Sequence, residues 1–364
     1  MPERQDFENR AVPCAAQPIQ MSPLARRLAP VLLAAVVALT SLSTQAQNDP
    51  PQMFRIAAPS VEGYGFTLAG LVASGLSNPP GGRSCEKGGS CGVPGMIAVV
   101  QTVAGSDQAA AMVMRGQIEA ALLPADALAR VLASAGPTTA GDKPNALRTI
   151  STLSVAPFQV MMRAKALSSG PGDATPDGPE SRRVAVTAEE GESPALAARL
   201  AGKLLPSAVV DPASVDITAG ITALIEGRVH WLAFMSATPS AAFVEPIRAG
   251  QIRPISPDRA AMTAQQAKSA WLINVRIPVG SYPDAPEVET LGLPTQLVVR
   301  ADLPAETAHA LARALWEPAT IKLIGPSRDL KIEQATAGLV APLHIGAARF
   351  YRERGVVEEG AQLE

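Results

Sequence analysis

Few residues in this chain are of the kinds that move protons, hold metals or attack carbonyls. It has three cysteines and three histidines in 364 residues, and His230, His309 and His344 stand far apart. A zinc site needs clustered Cys or His, and a nucleophile needs a base and an orienting partner. Neither pattern is present, nor is a G-x-S-x-G elbow. Gly63-Tyr64-Gly65 imitates the start of a dinucleotide loop but lacks the third glycine at its required place. His344 sits between Pro342 and Gly346 at a turn before a final helix, where a structural histidine is the expectation. No catalytic residue, metal or cofactor is expected, and the chain is read as a non-enzyme.

The residues that remain suit recognition. Ser106 opens the helix-forming run SDQAAAMVM, where a serine caps the helix or, with the free N–H groups there, contacts an anion. Gly105 before it would let backbone come close. Tyr64 and Phe66 follow the first strand, and Tyr64 and Tyr282 are two of only three tyrosines; aromatic walls with a hydroxyl handle suit a binding cleft, and core packing is the competitor. Asp126, after an apolar strand, either accepts a bond from a ligand amine or hydroxyl or caps the next helix. Glu189-Glu190-Gly191-Glu192 is an acidic turn, read first as a solvated charge run. A carboxylate of this turn facing the cleft would repel a ligand carboxylate about 5 Å away by roughly 3 kcal/mol at an effective dielectric near 20, favouring a zwitterion, a neutral compound or a cation.

These residues must be positioned by alternating elements. Phe54 to Ser60 reads as a strand and Thr67 to Leu76 as a helix, and the alternation continues through IAVVQTVAG, SDQAAAMVMRGQ and EAALLPAD. Leu153 to Ala166 reads as a crossover strand. A second series follows: RRVAVTA, the helix SPALAARLAGKLL, the strand VDITAG, the helix ITALIEGR and the strand VHWLAFMSA. Such alternation predicts an α/β fold with largely parallel sheets. Two open sheets joined by crossovers place a ligand cleft between lobes, at the carboxyl ends of the strands. The expected lobes are 53–156 with 271–364, and 157–270.

With 47% apolar and 18% charged residues and a net charge of −2, the chain is globular and lacks the basic footprint of a nucleic-acid binder. Leu28 to Leu42 is an apolar run preceded by Arg26 and Arg27 and followed by Thr44-Gln45-Ala46, as in a secretory signal. The run is shorter than the roughly 20 residues of a membrane span. Residues 1–46 are therefore read as a signal peptide with an upstream extension, cleaved near Ala46, and translation is as well begun at Met21 as at Met1. Export through an oxidising compartment predicts that Cys85 and Cys91, six residues apart in a Pro/Gly-rich loop, form a disulfide; a zinc pair or two free thiols are the alternatives.

One stretch is more specific than all of these. Pro342 to Gly355, PLHIGAARFYRERG, resembles the PLHPGAxRYYxExG ending of the TAXI family, the extracytoplasmic solute-binding subunits of a class of TRAP transporters. The resemblance covers nearly the whole segment after Ala46. Ser60-Val61-Glu62-Gly63-Tyr64-Gly65-Phe66 stands at the family's GTYY turn, Gly105-Ser106 at its GSxxN turn, and Gly116 to Asp126 at its G-x-x-D strand, with Glu119 for Asp and Pro124 for Gln. In the second lobe Ala188 to Ser193, with Gly191 and Ser193, stands at the Gly/Ser-rich turn, and Gly227 to Thr238-Pro239 at a later motif with His230 for Asp. Gly280-Ser281-Tyr282 matches G-x-Y. The resemblance implies a monomeric periplasmic receptor of type II-like two-lobed form that closes on a small polar metabolite, of amino-acid or small-carboxylate class, and delivers it to a TRAP-type permease. It implies ligand contacts at Ser60, Glu62, Gly63, Tyr64, Phe66, Gly105, Ser106, Asp126, Glu190, Gly191, Ser193, Thr238, Pro239 and Tyr282. The alternatives are an exported two-lobed hydrolase or transferase, and a ligand-sensing adaptor of a membrane kinase.

Overall fold

The computed structural model describes residues 51–58, 64–83, 85–135, 146–164, 182–187, 193–205, 207–325 and 331–358. The expected signal peptide, and Cys14, lie outside the described residues. No helix among those described is long and apolar enough to cross a membrane.

In chain order the strands are β1 Gln52–Ala58, β2 Ser77–Asn78, β3 Val93–Pro94, β4 Met96–Thr102, β5 Ala120–Pro124, β6 Leu147–Arg163, β7 Arg183–Thr187, β8 Val209–Val215, β9 Trp231–Met235, β10 Ile252–Ile255, β11 Ile273–Ile277 and β12 Val288–Arg300. The helices are α1 Tyr64–Leu76, α2 Ser106–Met114, α3 Ala125–Ala135, α4 Pro194–Leu204, α5 Ile217–Ile225, α6 Ala241–Arg248, α7 Arg259–Lys268, α8 Ala305–Leu315, α9 Pro318–Ile324 and α10 Ile345–Glu353. Ten strands form one sheet, β4-β1-β5-β12-β6-β9-β7-β8, with β10 on β6 and β11 on β12. The strands β4, β1 and β5 run parallel at one end, and β8, β7 and β9 at the other.

The two parallel groups are joined by the long strands. Strand β6 pairs antiparallel with β12 from Leu147 to Pro157 and with β9 from Phe158 to Met162, so one continuous strand changes partner between Pro157 and Phe158. Strand β12 carries the chain back, pairing with β5 from Thr295 to Val299. Gly292 lies where β12, β6 and β11 converge: a Cβ there would meet Val155 Cγ1 at 2.4 Å and Val275 Cγ1 at 2.8 Å. Helices cover both faces of each half, as buried parallel strands require. Phe54, Ile56, Leu122 and Leu297 pack on one side of the first half with α1, α8 and α10, and Ala121, Leu123 and Val298 on the other with α2 and α3. In the second half Val184, Val186 and Met235 pack against α4, while Leu232 and Phe234 pack against α5 and α6. Ile277, Tyr282, Ala285 and Val288 belong to that last cluster. The sequence reading starts the return to the first half at residue 271, whereas packing keeps this segment with the second half until β12.

Local chemistry corrects the sequence at α5. VDITAG reads as a strand, but Asp216 accepts N–H bonds from Thr218 at 2.9 Å and Ala219 at 3.1 Å, and the helix starts at Ile217. An aspartate at this place is a strong N-cap, and it turns the β-branched Ile217 and Thr218 that follow it into the first turn of a helix. Cys85 and Cys91 form a disulfide between β2 and β3, with Cα atoms 4.7 Å apart.

The C-terminal motif is a docking device. His344 donates its N–H to Thr149 O at 2.9 Å, and Thr149 donates its own to Pro342 O at 2.8 Å, tying the segment to the edge of β6. His344 Nδ1 accepts the Gly346 N–H at 3.2 Å and so caps α10. Burial pushes the His344 imidazole below its ordinary pKa, against the carbonyls of Ala301 and Leu303, which raise it. Gly346 lets α10 touch the start of α8, since a Cβ would lie 2.0 Å from Ala305 O. Tyr351 is buried, donating to Ile150 O at 3.0 Å and accepting from Trp316 Nε1 at 3.0 Å. Arg349 holds both carboxylate oxygens of Glu306 at 2.7 Å. His344, Gly346 and Tyr351 of the motif thus serve capping or packing, and Arg349 serves an ion pair.

Candidate functional site

Several of the candidate residues follow β5, β7 and β9 in the chain. Strand β5 is apolar and buried up to Leu123, and the turn after it puts Asp126 in the first turn of α3. Strand β7 ends at Thr187, and Ser193 is the N-cap of α4 without making a side-chain cap bond. Its hydroxyl instead donates to Asp126 Oδ2 at 2.6 Å. Two residues singled out from the sequence, 67 positions apart and one on each half, are in direct contact. The other oxygen, Asp126 Oδ1, is shielded from solvent and has no hydrogen-bond partner among the described residues. Arg130, one turn further along α3, is engaged by Asp107 at 3.2 Å.

Strand β9 leads into Ser236, Ala237 and the Thr238–Pro239 cis peptide. Thr238 lines a cavity of about 560 Å³ together with Thr152 and Ser154 of β6, Asn274 and Arg276 of β11, Ser281, Glu287 and Gln334. That volume falls in the range of small-molecule sites. Arg276 lies 3.9 Å from Glu287 and 3.7 Å from Glu289, so its charge is largely compensated. Asp126 and Ser193 are not in the cavity lining.

Tyr282 is 1% exposed, which takes it off the cleft wall where the sequence reading puts it. Its hydroxyl donates to Gln159 Oε1 at 2.7 Å and accepts the Ser240 N–H at 3.0 Å. Gln159 in turn donates to Ser236 O at 3.0 Å. The physical reason is this polar pair inside the second half: a phenol satisfied on both sides stays buried, and it fixes both ends of the loop that presents Thr238 and the exposed Pro239. Phe66 is half-buried and packs on the first half's core. Ser106 does not cap α2. Gly105 is its N-cap, with no side-chain bond, and Gln108 Oε1 accepts the Ala104 N–H at 2.9 Å instead. A Cβ on Gly105 would meet nothing within 4 Å. Tyr64 is the first residue of α1, whereas Ser60, Glu62, Gly63, Glu190 and Gly191 lie outside the described residues.

Sequence reasoning missed Ser154, Thr187 and Gln159. Ser154 Oγ, Thr187 Oγ1 and Thr238 Oγ1 are, with Asp126 Oδ1 and His344 Nε2, buried polar side-chain atoms without a partner among the described residues. A signal was available in β6, whose Thr149-Ile150-Ser151-Thr152-Leu153-Ser154 places four hydroxyls inside a buried strand. Glu119, by contrast, is accounted for by structure. Burial works to raise its pKa, but the bonds and charge of Arg55, at 2.7 and 2.9 Å, outweigh it and hold the carboxyl below the usual range.

A model of the NMT1-like family matches residues 93–355. The chain belongs to the NMT1-like family. This NMT1-like chain is also similar in fold to a TctC solute-binding protein from Polaromonas, at 15% identity and a TM-score of 0.50, over 84% of this chain and 96% of that one. MatC from Rhodopseudomonas palustris with bound malate aligns over 85% of this chain and 100% of its own, at 14% identity and a TM-score of 0.44. The chain shares with the TctC protein an α/β fold, here built on a mixed ten-stranded sheet.

Proposed function

We propose that this NMT1-like protein is a solute receptor of the periplasm, of the TAXI kind, that captures a small polar metabolite by lobe closure and hands it to a TRAP-type permease. In this reading residues 1–46 are removed at export, no bond of the ligand is made or broken, and the protein acts as a monomer. The lobes meet across β6 and β12, and the ligand contacts are Ser60, Glu62, Gly63, Tyr64, Gly105, Ser106, Asp126, Glu190, Gly191, Ser193, Thr238 and Pro239, with Tyr282 as their support and Phe66 as packing. The observation that carries the reading is the 2.6 Å bond from Ser193 to Asp126. It spans the two halves at strand ends, where ligands of open α/β sheets bind, and it is the kind of contact that a hinge closure makes and breaks.

The test joins a thermal-shift screen with small-angle scattering. A ligand at a hundred times its Kd adds about 2.7 kcal/mol to stability, and a receptor also becomes more compact and returns the ligand unchanged. Binding without compaction, or recovery of a chemically altered ligand, would overturn the receptor and favour the hydrolase or transferase.

A further inference from the structure

Asp126 holds the strongest unused chemistry in the molecule. A carboxylate can accept about four hydrogen bonds, yet this one receives a single bond, from Ser193, on Oδ2. Its Oδ1 is sealed from solvent with no partner among the described residues. The Ser193 contact joins the two halves, so this carboxylate stands where the two halves touch. A buried carboxylate oxygen without a donor is costly, and two events relieve it: the halves part and water reaches Asp126, or a donor on the solute fills the place. The neighbouring cation of α3 does not serve, because Arg130 is bonded to Asp107.

We propose that Asp126 is the specificity-determining group of the cleft, and that its free oxygen takes an N–H donor, in first place an ammonium, from the bound solute. The solute is then an amine-bearing compound, cationic or zwitterionic, and a dicarboxylate without an amine is rejected because it adds a second negative charge beside Asp126 and supplies no donor. Ser193 is a positioning residue: it orients the carboxylate and leaves the other oxygen for the solute. This rests on the receptor reading.

The experiment compares probes of matched skeleton, 4-aminobutyrate, L-glutamate and putrescine against succinate, glutarate and malate, by calorimetric titration of the wild-type chain and of Asp126→Asn and Ser193→Ala. The expected result is binding of at least one amine-bearing probe and of none of the three dicarboxylates. Loss of a charge-assisted bond corresponds to roughly 10- to 100-fold in affinity, so Asp126→Asn should weaken that probe by this factor. Ser193→Ala should weaken it less and keep the preference for amines. Far-ultraviolet circular dichroism and melting of each variant confirm that it folds. A dicarboxylate that binds the wild type as tightly as the amines, an Asp126→Asn affinity within twofold of wild type, or no binding by any probe would overturn the proposal. A dicarboxylate that binds with compaction would do so while leaving the receptor standing, whereas a probe recovered chemically altered would remove the receptor itself.

Discussion

Replacing Gly346 by alanine should destabilise the protein, although the same change elsewhere in a helix stabilises it. The added methyl would lie 2.0 Å from Ala305 O, 2.8 Å from Ala305 C and 2.9 Å from His309 N, all of them backbone. An ordinary C···O contact is roughly 3.3 Å, so α10 and α8 must separate by on the order of 1 Å, and no side chain can rotate away to absorb it. Overpacking of this kind costs about 1–3 kcal/mol, and alanine recovers at most about 1 kcal/mol of helix propensity. The net loss is about 1–2 kcal/mol, or roughly 1–3 °C in Tm for a chain of this size. Gly70 in α1 provides the internal control, since a Cβ there would meet nothing within 4 Å; Gly70→Ala should gain about 0.5–1 kcal/mol. Urea unfolding of both variants decides the matter. A Gly346→Ala protein as stable as the wild type would refute the close approach of α10 to α8, and with it the packing role assigned to the C-terminal motif.

Thiol titration of the denatured, unreduced full chain should find one reactive cysteine, Cys14, and three after reduction, because Cys85 and Cys91 are joined; three before reduction would exclude the bond. The buried His344 has a lowered pKa, so the unfolded chain, with a histidine pKa of about 6.5, binds the proton more readily than the folded one. Its contribution is therefore full above about pH 6.5 and declines as pH falls below that towards the folded value. His344→Asn keeps an acceptor at the helix cap and should flatten the fall in Tm between about pH 6.5 and 5, leaving the share of His230, which burial lowers in the same way. An unchanged pH profile would contradict the burial of the imidazole.

The α/β alternation was legible because β-like runs such as Phe54–Ala58 and helical ones such as Ala305–Leu315 differ in period and composition. The disulfide was legible from compartment and spacing. Asp126 and Ser193 were legible as strand-end residues, but their mutual bond was not, since nothing local relates positions 67 apart. Tyr282 shows the opposite failure: its place in a loop argued for the cleft, while Gln159, 123 residues earlier, draws it inward. Ser106 misled because a capping serine and a first-turn serine look alike until Gly105 is seen to be the N-cap. Position along the chain reveals which residues end strands, and only tertiary partners reveal where they turn.

The return of the chain through β12 sets an order of assembly. Strand β5 is paired along Ala120–Pro124 by Thr295–Val299, and β6 along Leu147–Pro157 by Gly292–Arg300. A nascent chain that has emerged only as far as α7 therefore presents β5 with one side bare and the first half of β6 without its partner. Closing contacts over such separations is slow, so the N-terminal half cannot settle while synthesis is under way. Completion waits until β12 slots between β5 and β6 and the segment before α10 is tied to Thr149. A polypeptide built in this way stays threadable until it is finished.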